Sequence, residues 1–179
     1  RQFSVLFQSF VQYPLTLRDN IALSDYAEAR NDGKILQALE QSGISEELGA
    51  KLDKGLDSYM TRQFDDEGIE LSKGQWQKIA LARAYFKGAP IVIFDEPSAA
   101  LDAEAEDRIF RNFEKISGDK TGIMISHRIS ATRMSNKIIV LADGKVAESG
   151  THQELAGSGG LYAKLYNLQK EKYVGKEAE

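Results

Sequence analysis

Two acidic residues, Asp95 and Glu96, directly follow an apolar run over residues 91–94 in the stretch IVIFDEP. Four apolar residues in a row predict a buried strand, and a parallel sheet binds ligands beyond the carboxyl ends of its strands. An aspartate in that place can hold Mg²⁺ for phosphate transfer, and a glutamate after it can polarise an attacking water. The same residues also fit an ordinary strand end followed by an acidic turn, so both interpretations stay open at this point.

A second candidate is the run LSKGQ at residues 71–75, which opens a long helical pattern. Ser72 and Gln75 have the spacing of a capping box, in which each side chain bonds the other residue's backbone N–H. A helix start also favours a phosphate through its free N–H groups and its dipole, and Gly74 would allow close backbone approach. Capping and phosphate binding both use the Ser72 hydroxyl, so the sequence leaves the two interpretations side by side.

Further polar residues stand next to strand or helix ends. His127 follows an apolar run, where it could contact a terminal phosphate or orient a water, or simply be a turn histidine. Gln8 ends the first apolar run, where its amide could bind Mg²⁺ or a metal-bound water, and Asp102 has the place of a helix N-cap. Each residue has an ordinary structural explanation alone, but their joint occurrence in this order favours a nucleotide site.

The elements that must position these residues alternate between strand and helix in the second half of the chain. Such alternation predicts an α/β fold, with a mostly parallel sheet covered by helices and reactive groups at the strand carboxyl ends. A capping box from Thr151 to Glu154 predicts a last helical region; it contains His152, to which we assign no chemistry. The predicted elements are helices over 73–87 and 103–116, strands over 91–94 and 122–126, and strands over 137–142 and 145–149 that pair around an Asp143-Gly144 turn.

The first half of the chain has shorter helical patterns. Thr16 can cap a helix that runs through Leu23, and Asp32 can cap another that Gly43 ends. Residues 57–70 are rich in charge and predict an exposed loop. We therefore expect four segments: the end of a first sheet segment over 1–9, a helical subdomain over 10–84, a core over 85–150, and C-terminal helices with a tail over 151–179.

Composition excludes several classes of protein. Hydrophobic residues at 42% and charged residues at 28% are typical of a globular domain, and the net charge of -4 gives no general attraction to nucleic acid. The sequence has no cysteine, which excludes disulfides and thiolate metal sites. The apolar runs are far shorter than the ~18 residues of a membrane helix.

The ordered motifs resemble the nucleotide-binding domain of ATP-binding cassette (ABC) transporters, from FQSF to about Leu168. Residues 71–75 resemble the family's signature loop, with Lys73 where glycine is commonest. Residues 91–96 resemble the Walker B strand and its catalytic glutamate. The remaining matches are Gln8 to the Q-loop, residues 98–102 to the D-loop, and His127 to the switch histidine.

One family motif does not occur in the sequence. The P-loop, G-x-x-x-x-G-K-[ST], cradles the phosphates with its backbone N–H groups and its lysine. The Gly-Lys pairs at Gly33, Gly144 and Gly175 have neither the following Ser or Thr nor the earlier glycine. The chain also opens at Arg1 inside a strand pattern, so we expect it to be the C-terminal portion of a longer, exporter-type protein, starting after the P-loop.

The resemblance implies a RecA-like, P-loop NTPase-like α/β fold with an inserted helical subdomain, truncated at its N-terminus. It implies an ATPase that powers export across a membrane, with ATP and Mg²⁺ as cofactors. Glu96 and His127 would be catalytic, as general base and γ-phosphate sensor, and Gln8 and Asp95 would hold the metal. The residues that would bind nucleotide are Gln8, Asp95, Asp102, Leu71, Ser72, Lys73, Gly74 and Gln75.

The resemblance also implies partners and a location. Two such domains sandwich ATP, each site combining one chain's catalytic residues with the other chain's signature loop, and a transmembrane domain of the same polypeptide places the domain at the cytoplasmic face of a membrane. No nucleic-acid partner is expected. One alternative is a soluble ABC-type ATPase acting on DNA or ribosomes, which predicts a basic surface or a long coiled coil before the signature, and the sequence has neither pattern. The other alternative is a non-catalytic interaction module. Without its P-loop, we expect the isolated chain to be inactive.

Overall fold

A computed structural model describes residues 2–97, 103–118, 120–128, 132 and 134–174. The chain divides into two compact units, residues 1–125 and residues 126–179. The first unit contains the parallel sheet and the helical subdomain. The second contains an antiparallel hairpin with two helices. Across the described residues, no helix is both long and apolar enough to cross a bilayer.

The sheet of the first unit has three parallel strands, β1 (Phe3–Leu6), β2 (Ile91–Asp95) and β3 (Thr121–Ile125), in the order β1-β2-β3. Phe3 pairs with Ile91, which in turn pairs with Thr121. All three strands run the same way, so their carboxyl ends meet at one edge of the sheet. Residues that follow these ends, far apart in sequence, are therefore brought together at that edge. The predicted α/β fold class and its parallel sheet are confirmed.

The two faces of this sheet differ. Ser4, Leu6, Val92 and Phe94 alternate along β1 and β2 and are buried against the helices. The other face carries the alternate residues of the strands. On it Phe3 of β1 lies beside Ile91 of β2, and Val5 of β1 lies beside Ile93 of β2, which lies beside Ile123 of β3. This second face, which we call the open sheet face, is exposed at both ends, with Phe3 and Ile125 each at 52%. Parallel sheets are normally covered on both faces.

The helical subdomain consists of α1 (Leu17–Ala22), α2 (Asp32–Ser42), α3 (Ser45–Leu48) and α4 (Lys73–Lys87), with short 3-10 turns at Tyr26–Glu28, Gly49–Lys51 and Gly55–Asp57. Thr16 caps α1 as predicted, because its side chain accepts the Asp19 N–H. Two expectations were wrong in detail. Asn31, not Asp32, caps α2, since Asn31 Oδ1 accepts the Lys34 N–H at 3.1 Å while Asp32 pairs with Arg18. The loop after residue 57 is not wholly exposed, because Met60 is fully buried.

Helix α4 is the central helix of the first unit. Apolar side chains all around it are buried, which is typical of a helix enclosed by other elements. It packs against α1, α2 and β1, and it ends at Gly88, whose φ of 61° is the left-handed conformation that glycine adopts without strain. Helix α4 thus joins the helical subdomain to the sheet.

Helix α5 (Ala103–Ser117) packs against β3. Its Phe113 ring lies 5.0 Å from the ring of Phe94 in β2. A side chain at Gly122 would come within 2.8 Å of Phe113 and Ser117, so only glycine lets α5 approach β3 this closely.

The second unit begins with the hairpin of β4 (Ile138–Ala142) and β5 (Lys145–Gly150). The turn residues Asp143 and Gly144 have φ values of 51° and 72°, as expected of the predicted two-residue turn. The predicted capping box of Thr151 and Glu154 opens α6 (His152–Gly157), and α7 (Leu161–Val174) follows. One small core joins them, formed by Ile138, Leu155 and Tyr162.

Candidate functional site

The backbone turns sharply at Glu96, immediately after β2. Glu96 has a φ of 48°, in the left-handed region that a non-glycine residue enters at a cost of about 1 kcal/mol or more. Its N–H donates to the carbonyl oxygen of Ile125, the last residue of β3, at 2.9 Å. The strand end therefore holds Glu96 in a strained conformation, which is a common property of residues at functional sites.

The side chains of Gln8 and Glu96 meet at this edge of the sheet. Gln8 lies two residues beyond β1, and its Nε2 donates to Glu96 Oε2 at 2.8 Å. The bond uses only the nitrogen of the amide, whereas the oxygen is the atom that a Mg²⁺ ion would take. The structure thus brings together two of the predicted site residues through direct contact.

Asp95, the last residue of β2, is half-buried beside Glu96. Among the described residues, no group of three or more His, Asp and Glu side chains could hold a metal ion by itself. Mg²⁺ is usually bound by one or two protein oxygens, with water and substrate phosphates completing its shell. Asp95 and the amide oxygen of Gln8 are donors of that kind, so their chemistry fits a phosphate-dependent Mg²⁺ site.

The start of α4 has the predicted capping box. Ser72 Oγ accepts the Gln75 N–H at 3.3 Å, and Gln75 Oε1 accepts the Ser72 N–H at 3.0 Å. The capping interpretation is therefore confirmed. Accepting this bond leaves the Ser72 hydroxyl hydrogen to donate elsewhere, so the cap is compatible with an anion at the same place. Lys73 is exposed there, while Leu71 and Gly74 are half-buried.

Gln77 is a buried polar residue of α4 that the sequence analysis missed. It is 3% exposed, and its Nε2 donates to the carbonyl oxygen of Pro97, the residue after Glu96. Within the described part of the chain, its Oε1 is buried without a hydrogen-bond partner. The available signal was a glutamine among the buried residues of α4, whose other members are apolar or aromatic.

Arg83, also in α4, was the second residue missed. Its guanidinium donates to the carbonyl oxygens of Val11 at 2.7 Å and Asn20 at 2.9 Å, and to Asn20 Oδ1 at 2.5 Å. It also lies over the Tyr13 ring, 4.9 Å from the centroid. Burial lowers the pKa of Arg83 to about 10. Arg83 therefore anchors the segment that leads from Gln8 into α1.

Comparison with protein families agrees with this geometry. The family model described as ABC transporter matches residues 1–99, more than half of the chain. The chain belongs to the ABC transporter family. The resemblance found from the motifs is thereby confirmed.

Several curated members of the ABC transporter family are similar to this chain. The nisin transport ATP-binding protein of Lactococcus lactis is 46% identical over 93% of the chain and 27% of its own length. The subtilin transport ATP-binding protein of Bacillus subtilis is 42% identical over 92% of the chain and 26% of its own length. An ATP-dependent lipid A-core flippase of Burkholderia pseudomallei is 36% identical over 97% of the chain and 28% of its own length.

A solved structure of a bacterial Atm1-family ABC exporter with ATP bound matches with a TM-score of 0.81 and 32% identity. The match covers 94% of this chain and 28% of that one. The chain therefore spans about a quarter of the length of the ABC proteins it resembles.

Two further residues were predicted for this site, His127 and Asp102. His127 belongs to the second unit, where it is exposed and its backbone carbonyl accepts Gln169 Nε2 at 2.7 Å. Its place beside the phosphate stays a prediction. Asp102 and the rest of the predicted D-loop, residues 98–102, lie outside the described residues.

Proposed function

We propose that this chain is the ATP-hydrolysing part of an ABC exporter, with its catalytic residues at the carboxyl edge of the sheet. The observation that carries the proposal is the 2.8 Å hydrogen bond between Gln8 and Glu96, next to Asp95 at the end of β2. Family membership supports ATP as the ligand, and the strained backbone of Glu96 supports a role in catalysis.

In this proposal, each predicted site residue has a separate role in ATP hydrolysis. Glu96 accepts a proton from the attacking water as general base. Asp95 and Gln8 hold Mg²⁺, which supplies charge neutralisation for the phosphates when it is bound. His127 would sense the γ-phosphate, and Asp102 of the D-loop would bind the nucleotide. The bond from Gln8 to Glu96 keeps the base oriented before the nucleotide arrives.

A second nucleotide-binding domain completes each site. The start of α4 faces the nucleotide of that partner, with the Ser72 hydroxyl and the Gly74 backbone toward its phosphates and with Leu71 and Gln75 shaping the loop. Lys73 adds a positive charge in the same place. A helix start that is capped from within its own first turn needs no partner to keep its shape, so it is available before the two domains meet.

We assign the P-loop and the membrane-spanning domain to a longer polypeptide that includes this chain. The chain would then lie at the cytoplasmic face of the membrane, with its helical subdomain docked on the membrane domain. The open sheet face supports this proposal, because a parallel sheet requires a second layer. The 179 residues alone would hydrolyse no ATP, because the phosphate cradle supplies contacts to ground state and transition state.

The test uses the complete transporter polypeptide, purified in lipid nanodiscs. Glu96→Gln should lower Mg²⁺-dependent ATP turnover by at least about 100-fold, because it removes the base while keeping side-chain size. ATP affinity should stay within about twofold, since the base acts in the transition state. Glu40→Gln, the same change at an exposed position of α2, is the control and should leave turnover unchanged. Full turnover in Glu96→Gln would exclude Glu96 as the base.

A further inference from the structure

The side chain of Gln77 links helix α4 to the backbone next to Glu96, because its Nε2 donates to the carbonyl oxygen of Pro97. We propose that Gln77 is a positioning residue, which holds the Glu96–Pro97 turn in its catalytic conformation and joins it to the helix that starts at the signature loop. The inference rests on the proposed role of Glu96 as general base. It assigns to Gln77 a function that acts through another residue and not by touching substrate.

The first step is the environment of Gln77. Its side chain is buried among apolar residues of α4, where an amide costs free energy unless both of its ends are paired. Its Nε2 end donates to Pro97 O, and within the described residues its Oε1 end is buried and unpaired. An apolar side chain of similar length would avoid that cost. A glutamine here is therefore explained by the bond it makes to Pro97.

The second step is what that bond does. The strand end must hold Glu96 at a φ of 48°, which relaxes to an ordinary value unless the residues on either side are fixed. On one side, the Glu96 N–H donates to Ile125 O at 2.9 Å. On the other side, Pro97 O is fixed by Gln77. Proline cannot donate a backbone hydrogen bond, so the carbonyl is the only backbone group through which Pro97 can be held.

The third step is direction. Gln77 lies less than two turns into α4 from Ser72, in the same rigid helix. A displacement of the start of α4 therefore moves Gln77, and through its hydrogen bond Gln77 moves the carbonyl group of Pro97, the residue after Glu96. The helix end that we assign to the partner's nucleotide is thus linked to the base that acts on this chain's own nucleotide.

The experiment again uses the complete transporter polypeptide in nanodiscs. Gln77→Met keeps the length of the side chain and removes the donor to Pro97. We expect kcat to fall about tenfold or more while the KM for ATP stays within about twofold, because a misplaced base weakens only the transition state. Gln77→His, which keeps a nitrogen donor of similar reach, should recover at least half of the lost kcat. Tyr85→Phe is the control, since it removes another buried polar atom of α4 that lacks a partner among the described residues.

A double-mutant cycle separates positioning from general support of the fold. In a Glu96→Gln background, single-turnover hydrolysis should not fall further when Gln77→Met is added, because Gln77 acts only through the base. A further fall of about tenfold in that background, or a kcat within twofold of wild type for Gln77→Met alone, would overturn the inference. If the Gln77→Met protein cannot be purified, the test uses Gln77→His instead. A Gln77→His kcat of at least half the wild-type value supports the inference, and a lower kcat overturns it. If Glu96→Gln alone keeps full turnover, the proposed function fails first, which is a distinct outcome.

Discussion

The amide of Gln8 and the carboxylate of Glu96, 88 positions apart in sequence, are joined by one hydrogen bond of 2.8 Å. The sheet makes this contact possible, because β1 and β2 are parallel neighbours and both side chains follow a carboxyl end. In the proposed function, this single amide would serve two tasks, orienting the base with its nitrogen and binding a metal ion with its oxygen. Movement of the segment after Gln8 would act on both tasks at once.

Gln8→Glu should separate these two tasks. The substitution keeps an oxygen for Mg²⁺ but places a second carboxylate beside that of Glu96, and two such groups share one proton up to a higher pH than either alone would. We expect kcat at neutral pH to fall about tenfold and the acid limb of the kcat–pH profile to move to higher pH. Steady-state hydrolysis by the complete transporter between pH 5.5 and 9 measures this.

Gln12→Glu is the matched control, because it makes the same change at an exposed position four residues later. Its profile should coincide with that of wild type. A Gln8→Glu profile that also coincides with wild type would contradict the assigned contact between Gln8 and Glu96.

Arg83→Lys should loosen the segment between Gln8 and α1. A lysine keeps the charge, but its ammonium cannot reproduce the three bonds to Val11 and Asn20 or the planar contact with Tyr13. We expect a local loss of about 2 kcal/mol, read as faster hydrogen exchange of residues 11–20 in the complete protein. The pKa of Arg83 is lowered only to about 10, so Arg83 stays charged between pH 6 and 8. The hydrogen-exchange protection of residues 11–20 in the wild type should therefore not change through its titration in that range.

Arg111→Lys provides the comparison for Arg83. Arg111 forms an exposed i,i+4 pair with Asp107 on α5, so the same substitution there should change protection by less than about 0.5 kcal/mol. Equal effects at the two positions would show that Arg83 is not a specific anchor.

Two glycines of the second unit should respond to alanine in opposite directions. At Gly144 a Cβ would meet no atom within 4 Å, but the φ of 72° makes any side chain unfavourable, so Gly144→Ala should destabilise the hairpin by about 1 kcal/mol. At Gly157 there is equal space and helical backbone, so Gly157→Ala should stabilise by about 0.5 kcal/mol. Hydrogen exchange of β4, β5 and α6 measures both, and effects of the same sign would contradict the turn geometry.

Local signals explain which parts of the fold were predictable. The capping boxes at Ser72 and Thr151 and the Asp143-Gly144 turn each depend on side chains within four residues, and all three were confirmed. The cap of α2 was assigned to Asp32 and proved to be Asn31, because adjacent Asn and Asp residues are both good caps and the distant Arg18 attracts the acid. A local pattern could not have chosen between them.

The sequence was sufficient to predict which residues belong to the candidate site. It was not sufficient to predict which side chains contact each other there. The motif order placed Gln8, Asp95 and Glu96 at strand ends, which is where they lie. The bonds made by Gln77 and Arg83 depend on which side of α4 faces the sheet and which faces the segment before α1. That orientation is decided by packing of the whole unit, so no pattern within α4 alone reveals it.

The strand order also determines when the protein can fold. Roughly 85 residues separate β1 from β2, and a ribosome adding about 5–20 residues per second needs several seconds to make them. For that interval β1, with its apolar Phe3 and Val5, has emerged without the strand that pairs with it. Variants that slow folding of the intervening helices should therefore reduce the yield of protein in cells before they reduce the turnover of the molecules that mature.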